Sequence, residues 1–167
     1  MSAILIFLLQ VAVSSLPNGY DGAVWGISAK QLEQLVEVHK ATPGSEYNYS
    51  DHMETDPEVY IQFTKENKRI EYYFFKGKLY KIFIVYDRAL TSPQFYRQQI
   101  TEASRKYGSP QGQFEEKVLG LTVKHTTWEG EQTLLDLRSG AGFVFEVLMD
   151  KDVAQAKAVR RQLKNAI

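Results

Sequence analysis

Three short apolar runs in the first half of the chain constrain the fold more than any other feature of the sequence. The first run, 59–63, alternates apolar with polar residues, and the other two, 70–75 and 79–86, are rich in aromatic residues. Turn-forming residues around Asn67 and Gly77 separate the runs. A period of two with such short turns is typical of antiparallel strands, so the sequence predicts a three-stranded meander.

The second half of the chain begins with a helix and continues with strands. Ser92 is a good helix N-cap, Pro93 fits the first helical position, and Gly108 suits the C-terminal cap. A closing helix is expected over 150–165. Between these helices, alternating runs predict four strands, at 114–118, 121–128, 133–137 and 143–149.

A first helix is predicted ahead of the three-stranded meander as well. Ser28 and Gln31 form a capping box, and an apolar stripe follows them until the helix-stopping residues 41–44. Residues 45–57 are polar and rich in turn formers, so we expect a loop there.

These elements predict an α+β fold with two halves, α-βββ over about 20–86 and α-ββββ over 92–149. The strands are expected to form one mostly antiparallel sheet, or two abutting ones, covered by helices on one face. The similar layout of the halves indicates an internal duplication, although their residues are rarely identical. A chain of 167 residues corresponds to a single domain, which we place at 18–167.

The composition excludes several functional classes. Twenty Lys and Arg balance twenty Asp and Glu, and a neutral chain lacks the basic surplus that a dedicated nucleic-acid binder needs. Without cysteine, the chain forms no disulfide, no thiolate zinc site and no catalytic thiol. We therefore expect no nucleic-acid partner, and no motif predicts a cofactor.

The first fifteen residues have the character of a signal peptide. An apolar run over 3–13, interrupted by Gln10, is followed by small residues at Ser14 and Ser15. Its length fits a signal-peptide core and falls short of a membrane span, although no Lys or Arg precedes Lys30. We expect a periplasmic or secreted protein. The alternatives are an N-terminal strand or buried helix of the domain, and a membrane anchor.

Two short motifs resemble those of small exported bacterial domains. Trp-Gly-Ile-Ser opens the first helix at Trp25, and Lys-Tyr-Gly-Ser-Pro closes the second at 106–110. The hairpin over 75–86 is similar to theirs as well, so the resemblance covers about 20–150. The broader relatives are the small outer-membrane-assembly lipoproteins and the β-lactamase-inhibitor-like fold. The resemblance implies a helical segment packed on a small antiparallel sheet, an exported location, and protein or ligand binding.

The three histidines are the first candidates for catalysis. His39 lies on the apolar stripe of the first helix and His125 in a strand, where we expect structural roles and, for His125, a cross-strand hydrogen bond. His52 shares a loop with three carboxylates, but their spacing matches no metal-binding motif, so a solvated acidic turn is expected. No nucleophile elbow, phosphate-binding loop or dinucleotide motif is present. The chain is therefore predicted not to be an enzyme. A hydrolase or metal enzyme using His52 or His125 is the remote alternative.

Aromatic residues concentrate in the meander and point to a binding surface. One face of its third strand is predicted to hold Tyr80, Ile82, Ile84 and Tyr86, and the other Leu79, Lys81, Phe83 and Val85. Either helices and the rest of the sheet cover both apolar faces, or one face is exposed for a partner. The candidate binding residues are Tyr72, Tyr73, Tyr80, Tyr86, Phe95 and Trp128.

The sequence therefore favours a non-catalytic, exported module that binds a protein partner of the bacterial envelope. The alternative is a carrier of a small apolar ligand, with a pocket of several hundred Å³ between sheet and helices lined by Tyr72, Tyr80 and Phe95. Membrane contact is expected to be at most peripheral, through basic residues of the closing helix, namely Lys157, Arg160, Arg161 and Lys164.

Overall fold

The computed structural model describes residues 15–39, 42–49 and 58–156, with the side chains of 15–35 and 62–156. Its helices are α1 (Ala29–His39), α2 (Pro93–Tyr107) and α3 over 151–156, and the rest of the predicted closing helix lies outside the described residues. Its strands are β1 (Gly19–Tyr20), β2 (Ala23–Val24), β3 (Thr42–Tyr49), β4 (Glu58–Lys65), β5 (Lys68–Phe75), β6 (Lys78–Tyr86), β7 (Gly112–Val118), β8 (Leu121–Glu129), β9 (Thr133–Gly140) and β10 (Phe143–Asp150).

Eight of these strands form one antiparallel sheet in the order β3-β4-β5-β6-β10-β9-β8-β7. Each half of the chain contributes four consecutive strands, and the last strand of each, β6 and β10, pair at the centre. At this seam Ile84 lies opposite Glu146, and Ile82 lies opposite Leu148. The predicted α+β class with a mostly antiparallel sheet is confirmed.

The first half has four strands where three were predicted, because β3 occupies part of the predicted loop over 45–57. β3 pairs with β4 along Thr42 to Tyr49, with a register shift between Pro43 and Glu46. An edge strand is hydrogen-bonded to a neighbour on one side only, so it tolerates a proline and an irregular register. Its sequence also need not alternate between apolar and polar residues. The loop prediction was wrong for its first five residues for this reason.

The predicted helix caps are confirmed. The Ser28 amide donates to Gln31 Oε1 at 2.9 Å, and the Gln31 amide donates to Ser28 Oγ at 3.3 Å. The Phe95 amide donates to Ser92 Oγ at 3.0 Å, and Gly108 ends α2 with a φ of 88°. Both helices therefore begin where side chains satisfy the free amides of the first turn.

Both long helices pack on the same face of the sheet, which we call the helix face. Leu32 of α1 and Tyr96 of α2 belong to one core cluster with side chains from six strands of the eight-stranded sheet. The strand members are Phe63, Ile70, Tyr72, Phe74, Leu79, Ile82, Ile84, Trp128, Leu135, Leu137, Val144 and Leu148. The Trp128 indole also donates to the Gly108 carbonyl at 2.9 Å, which ties the end of α2 to β8.

A β-bulge in β6 changes the predicted assignment of its faces. Tyr73 pairs with Lys81 and Phe74 pairs with Leu79, which leaves Tyr80 as the extra residue. One extra residue reverses the side on which the preceding side chains lie, so Leu79 joins the core cluster on the helix face. The prediction that Leu79 shares a face with Lys81 was wrong, because simple alternation contains no sign of a bulge.

A buried threonine fastens the β1–β2 hairpin region to β9. Trp25 Nε1 donates to Thr133 Oγ1 at 2.9 Å, and the Thr133 hydroxyl donates to the Pro17 carbonyl at 2.6 Å. Thr133 itself is fully buried. We call these three residues the clasp. One hydroxyl thus satisfies two polar groups that would otherwise be left without partners at this contact.

We predict that Thr133→Val destabilises the protein by roughly 2–3 kcal/mol, because valine keeps the shape but leaves the Trp25 indole and the Pro17 carbonyl unpaired. Thr133→Ser, which keeps the hydroxyl and loses a methyl group, should cost about 1 kcal/mol. Urea unfolding of the two variants measures the difference. Equal destabilisation would show that the clasp contributes by packing alone.

Candidate functional site

Large apolar side chains are exposed along the β7–β8 hairpin, at the outer edge of the sheet. Phe114, Val118, Leu119 and Leu121 are exposed by 53%, 43%, 97% and 52%. In the rest of the described chain, only two large apolar side chains, Val24 and Leu90, are exposed to a similar extent. We call these four residues the hairpin patch. A concentration of exposed apolar side chains on one hairpin is typical of a contact surface.

Leu119 and Gly120 form the two-residue turn at the tip of this hairpin. Val118 lies opposite Leu121, and the turn residues have positive φ values of 49° and 80°. Residue pairs with similar positive φ values occur at three other turns, Asp21-Gly22, Lys76-Gly77 and Ala141-Gly142. A leucine is sterically unfavourable in this left-handed region, where Asn, Asp and Gly are preferred. Because Leu119 is almost fully exposed, contacts within the chain do not offset that cost.

The base of the hairpin patch lies on a buried histidine. The Phe114 ring stacks on the His125 imidazole with centroids 4.5 Å apart and planes within 6°. His125 Nδ1 donates to Asp136 Oδ2 at 3.1 Å, and Arg138 Nε donates to the same oxygen at 2.7 Å. A carboxylate only accepts, so Nδ1 carries the imidazole proton. The predicted cross-strand hydrogen bond of His125 is confirmed, and it fixes the ring against which Phe114 packs.

The other imidazole nitrogen of His125 faces Glu116. Nε2 is buried, has no hydrogen-bond partner among the described residues, and lies 3.5 Å from Glu116 Oε2. Within the same residues, no hydroxyl group hydrogen-bonds to the ring, so this histidine has no nucleophile to activate there. The prediction that the chain is not an enzyme stays a prediction.

Four of the six predicted binding residues lie on the helix face. Tyr72 and Trp128 are buried within the core cluster, and Tyr86 and Phe95 pack against its margin with their rings 5.2 Å apart. Tyr72 stacks edge-on against Phe63 as well. The structure brings these residues together as packing partners of the helices, and their part in binding stays a prediction.

The other two predicted binding residues, Tyr73 and Tyr80, are buried outside the core cluster. The Tyr73 hydroxyl donates to Glu71 Oε2 at 2.7 Å. Lys81 Nζ lies 4.0 Å from the centre of the Tyr73 ring and 5.6 Å from that of Tyr80. Both tyrosines therefore have little surface available to a partner, and the more exposed apolar surface lies on the hairpin patch.

Two clefts lie between the sheet and the elements packed on its helix face. The first, of about 380 Å³, is bounded by α2, β9 and β10. The second, of about 370 Å³, lies beside the β1–β2 hairpin and shares Lys106, Tyr107 and Glu146 with the first. Neither cleft is lined by the three aromatic residues predicted to form a pocket. The two clefts instead converge on a charged residue.

Glu146 is an acidic side chain on the apolar helix face, in line with Val144 and Leu148 on β10. Its Oε2 accepts a hydrogen bond from the Tyr86 hydroxyl at 2.8 Å. Burial raises the pKa of Glu146 above its usual range, and the Tyr86 hydrogen bond and the charges of Lys68 and Lys106 oppose that rise. Burial and the Glu146 carboxylate also raise the pKa of Tyr86, so the tyrosine remains the donor of this hydrogen bond.

Several predicted groups lie outside what the structure describes. They are His52 with its acidic loop, the side chain of His39, and the basic residues Lys157, Arg160, Arg161 and Lys164. Within the described ranges, no three His, Cys, Asp or Glu side chains come together as a metal site requires. None of the helices in those ranges is long and apolar enough to cross a membrane.

The sequence analysis missed both the hairpin patch and Glu146. The patch has a readable signal, because residues 118–121 place Val-Leu-Gly-Leu where hairpin turns normally hold polar residues. The signal at Glu146 is weaker. This residue has three apolar neighbours on each side along the strand, so alternation alone does not tell whether it faces the helices or the other side.

We predict that Glu146→Gln stabilises the protein at neutral pH. The folded state raises the pKa of Glu146, so it binds more protons than the unfolded state, and the stability due to this group falls as the pH rises. Glutamine still accepts from Tyr86 and never ionises. The melting temperature of the variant should exceed that of the wild type at pH 7, with the gap narrowing towards about pH 4.5. A gap that does not depend on pH would contradict this account.

The comparisons with known proteins give one distant structural similarity. No family model matches the chain. None of the curated proteins matches it either. A solved structure from Streptococcus mutans, provisionally described as a β-lactamase inhibitor protein, is 12% identical with a TM-score of 0.32, over 79% of this chain and 86% of that one. The expected relationship to outer-membrane-assembly lipoproteins stays a prediction, and the chain is distantly similar to this inhibitor-like protein.

Proposed function

We propose that the chain is a non-catalytic binding module that holds a protein partner through the hairpin patch. The observation that carries the proposal is Leu119, which is 97% exposed and adopts a positive φ. Lys76 and Ala141 have a similar backbone conformation at their turns, but Leu119 combines it with a large apolar side chain that is almost fully exposed. Insertion into an apolar pocket of a partner would give the leucine the burial that it lacks in the free chain.

The neighbouring residues favour a protein over a lipid surface as the partner. Glu115, Glu116, Lys117 and Lys124 flank the hairpin patch, and Lys124 Nζ lies 3.7 Å from Glu115 Oε1. Two acids and two bases leave the hairpin without the positive charge that attracts anionic headgroups. A small apolar centre with a mixed polar rim is the usual composition of a protein interface.

We also propose that the module works outside the cytoplasm, as the apolar run over 3–13 indicates. The partner is then a protein of the bacterial envelope. The small-ligand alternative retained from the sequence requires a pocket, and the clefts beside Glu146 lie elsewhere than the pocket predicted from aromatic residues.

We predict that Leu119→Asn stabilises the fold and abolishes partner binding. Asparagine tolerates the left-handed region and creates the Asn-Gly pair favoured in this turn, so stability should rise by roughly 1 kcal/mol. A cross-linked pull-down from the native host with tagged wild type and variant should enrich one protein with the wild type only. Reconstitution with that purified protein then measures the loss of affinity, which we expect to reach at least about tenfold.

Leu90→Asn is the matched control, because Leu90 is an exposed leucine outside the hairpin, 44% exposed. It should leave the enriched protein and its affinity unchanged. If Leu119→Asn binds the partner as the wild type does, or if Leu90→Asn loses it equally, the hairpin patch is not the binding surface. Flotation of the wild type with anionic vesicles would instead assign the patch to a membrane.

Export has its own test. The protein expressed in its native host should have an intact mass lacking about the first 14 or 15 residues, as cleavage after the small residues near Ser14 would produce. A full-length mass in the cytoplasmic fraction would contradict the proposed location without affecting the hairpin patch.

A further inference from the structure

We propose that the cleft between α2 and the sheet binds a small primary amine, with its ammonium group on the Glu146 carboxylate and its apolar body against β9. This site lies on the helix face, apart from the hairpin patch, and it does not depend on the proposed protein binding. The class of ligand follows from the acceptors, the charge and the walls of the cleft.

The acceptors are arranged for a group that donates several hydrogen bonds. Glu146 uses Oε2 to accept from Tyr86, and Oε1 accepts no hydrogen bond from the described residues. Gln99, which lines the same cleft, has its Oε1 at 3.4 Å from the Tyr86 hydroxyl. Two acceptor oxygens, one from β10 and one from α2, suit an ammonium group, which carries three donors and accepts none.

Arg105 and Lys106 line the same cleft as Glu146, so the charge of its carboxylate is compensated only at longer range. Among the described residues, no Lys or Arg nitrogen lies within 4.0 Å of the Glu146 carboxylate, although such pairs occur elsewhere in the chain. Lys68 and Lys106 act on it through space, and Lys68 donates to the Tyr20 hydroxyl at 2.9 Å. A largely buried carboxylate is costly to ionise without a cation at contact distance, so a bound cation would offset a cost that the free protein bears.

The walls of the cleft define the rest of the ligand. Leu135 and Leu137 of β9 and Ala103 and Tyr107 of α2 form its less polar lining, and Glu102, Arg105 and Lys106 of α2 line it as well. A volume of about 380 Å³ accommodates a single aromatic ring with a short chain, at the lower end of the range of small-molecule sites. An arylalkylamine therefore has the size, the charge and the apolar body that the cleft requires.

The experiment compares three probes of nearly the same shape: 2-phenylethylamine, 2-phenylethanol and 3-phenylpropionate. Titration of the wild-type protein, followed by backbone amide NMR shifts, should show the amine bound with a Kd on the order of 1 mM, as expected for a ligand of this size. The shifts should map to α2, β9 and β10. The alcohol should bind more weakly and the carboxylate not measurably, because the latter would face Glu146 with the same charge.

Three variants separate binding from folding. Glu146→Gln keeps the acceptor for Tyr86. It should raise the Kd of the amine by about tenfold or more and leave the Kd of the alcohol unchanged. Glu102→Gln removes a carboxylate from the same cleft and should change the amine Kd by less than about twofold. Ala103→Leu narrows the cleft and leaves Glu146 in place, so it should weaken the binding of the amine and of the alcohol alike.

Each contrary result would overturn the proposal. The proposal fails if the amine causes no NMR shifts at saturating concentration, or if the amine and the carboxylate bind equally. Either result would show that Glu146 selects no cation. If Glu102→Gln and Glu146→Gln lose the same affinity for the amine, the amine is attracted only by the negative charge of the cleft in general. An unchanged amine Kd in Glu146→Gln, with the variant folded by near-ultraviolet circular dichroism, would leave Glu146 as a structural partner of Tyr86 only.

Discussion

Backbone hydrogen bonds between β6 and β10 join two four-stranded groups into one sheet, and the rest of the molecule is arranged around that pairing. The pairing sets Ile82 against Leu148 and Ile84 against Glu146 in the middle of the helix face. Two isolated groups would each expose the side chains that now meet at the seam. Glu146 lies on this central line, and the two clefts beside α2 and the β1–β2 hairpin both reach it.

The sequence predicts strands and turns well where neighbouring residues alone determine them. The strands of both meanders alternate, and the turn at Lys76-Gly77 is marked by a glycine that adopts a positive φ of 74°. β3 has no such local signal, since its pairing depends on β4 lying beside it. The bulge at Tyr80 escapes prediction for the same reason, because it is set by how β5 and β6 fit together after their alternation has been fixed.

The candidate surfaces divide in the same way. Leu119 is visible in the sequence as an apolar residue in a hairpin turn, and only the structure adds that it is 97% exposed among the described residues. Of the aromatic residues predicted to bind a partner, Trp128 and Tyr72 lie in the core between sheet and helices, whereas Tyr73 and Tyr80 are buried outside that core cluster. Aromatic density indicates where large areas are buried and does not distinguish a core from an interface. Glu146 acquires its significance from residues far along the chain, above all Tyr86 and Lys68.

The clasp sets an order of events during synthesis on the ribosome. Pro17 and Trp25 are fastened by Thr133, which follows them by 116 and 108 residues. Consecutive strands of the first meander can pair as they emerge, since their partners are close in sequence. The hydrogen bonds of the clasp can form only after β9 has been translated. The contacts of Gly26 with Leu79 and of Tyr20 with Lys68 can form earlier, so the start of the domain can dock on the first meander before the clasp fastens it to the second.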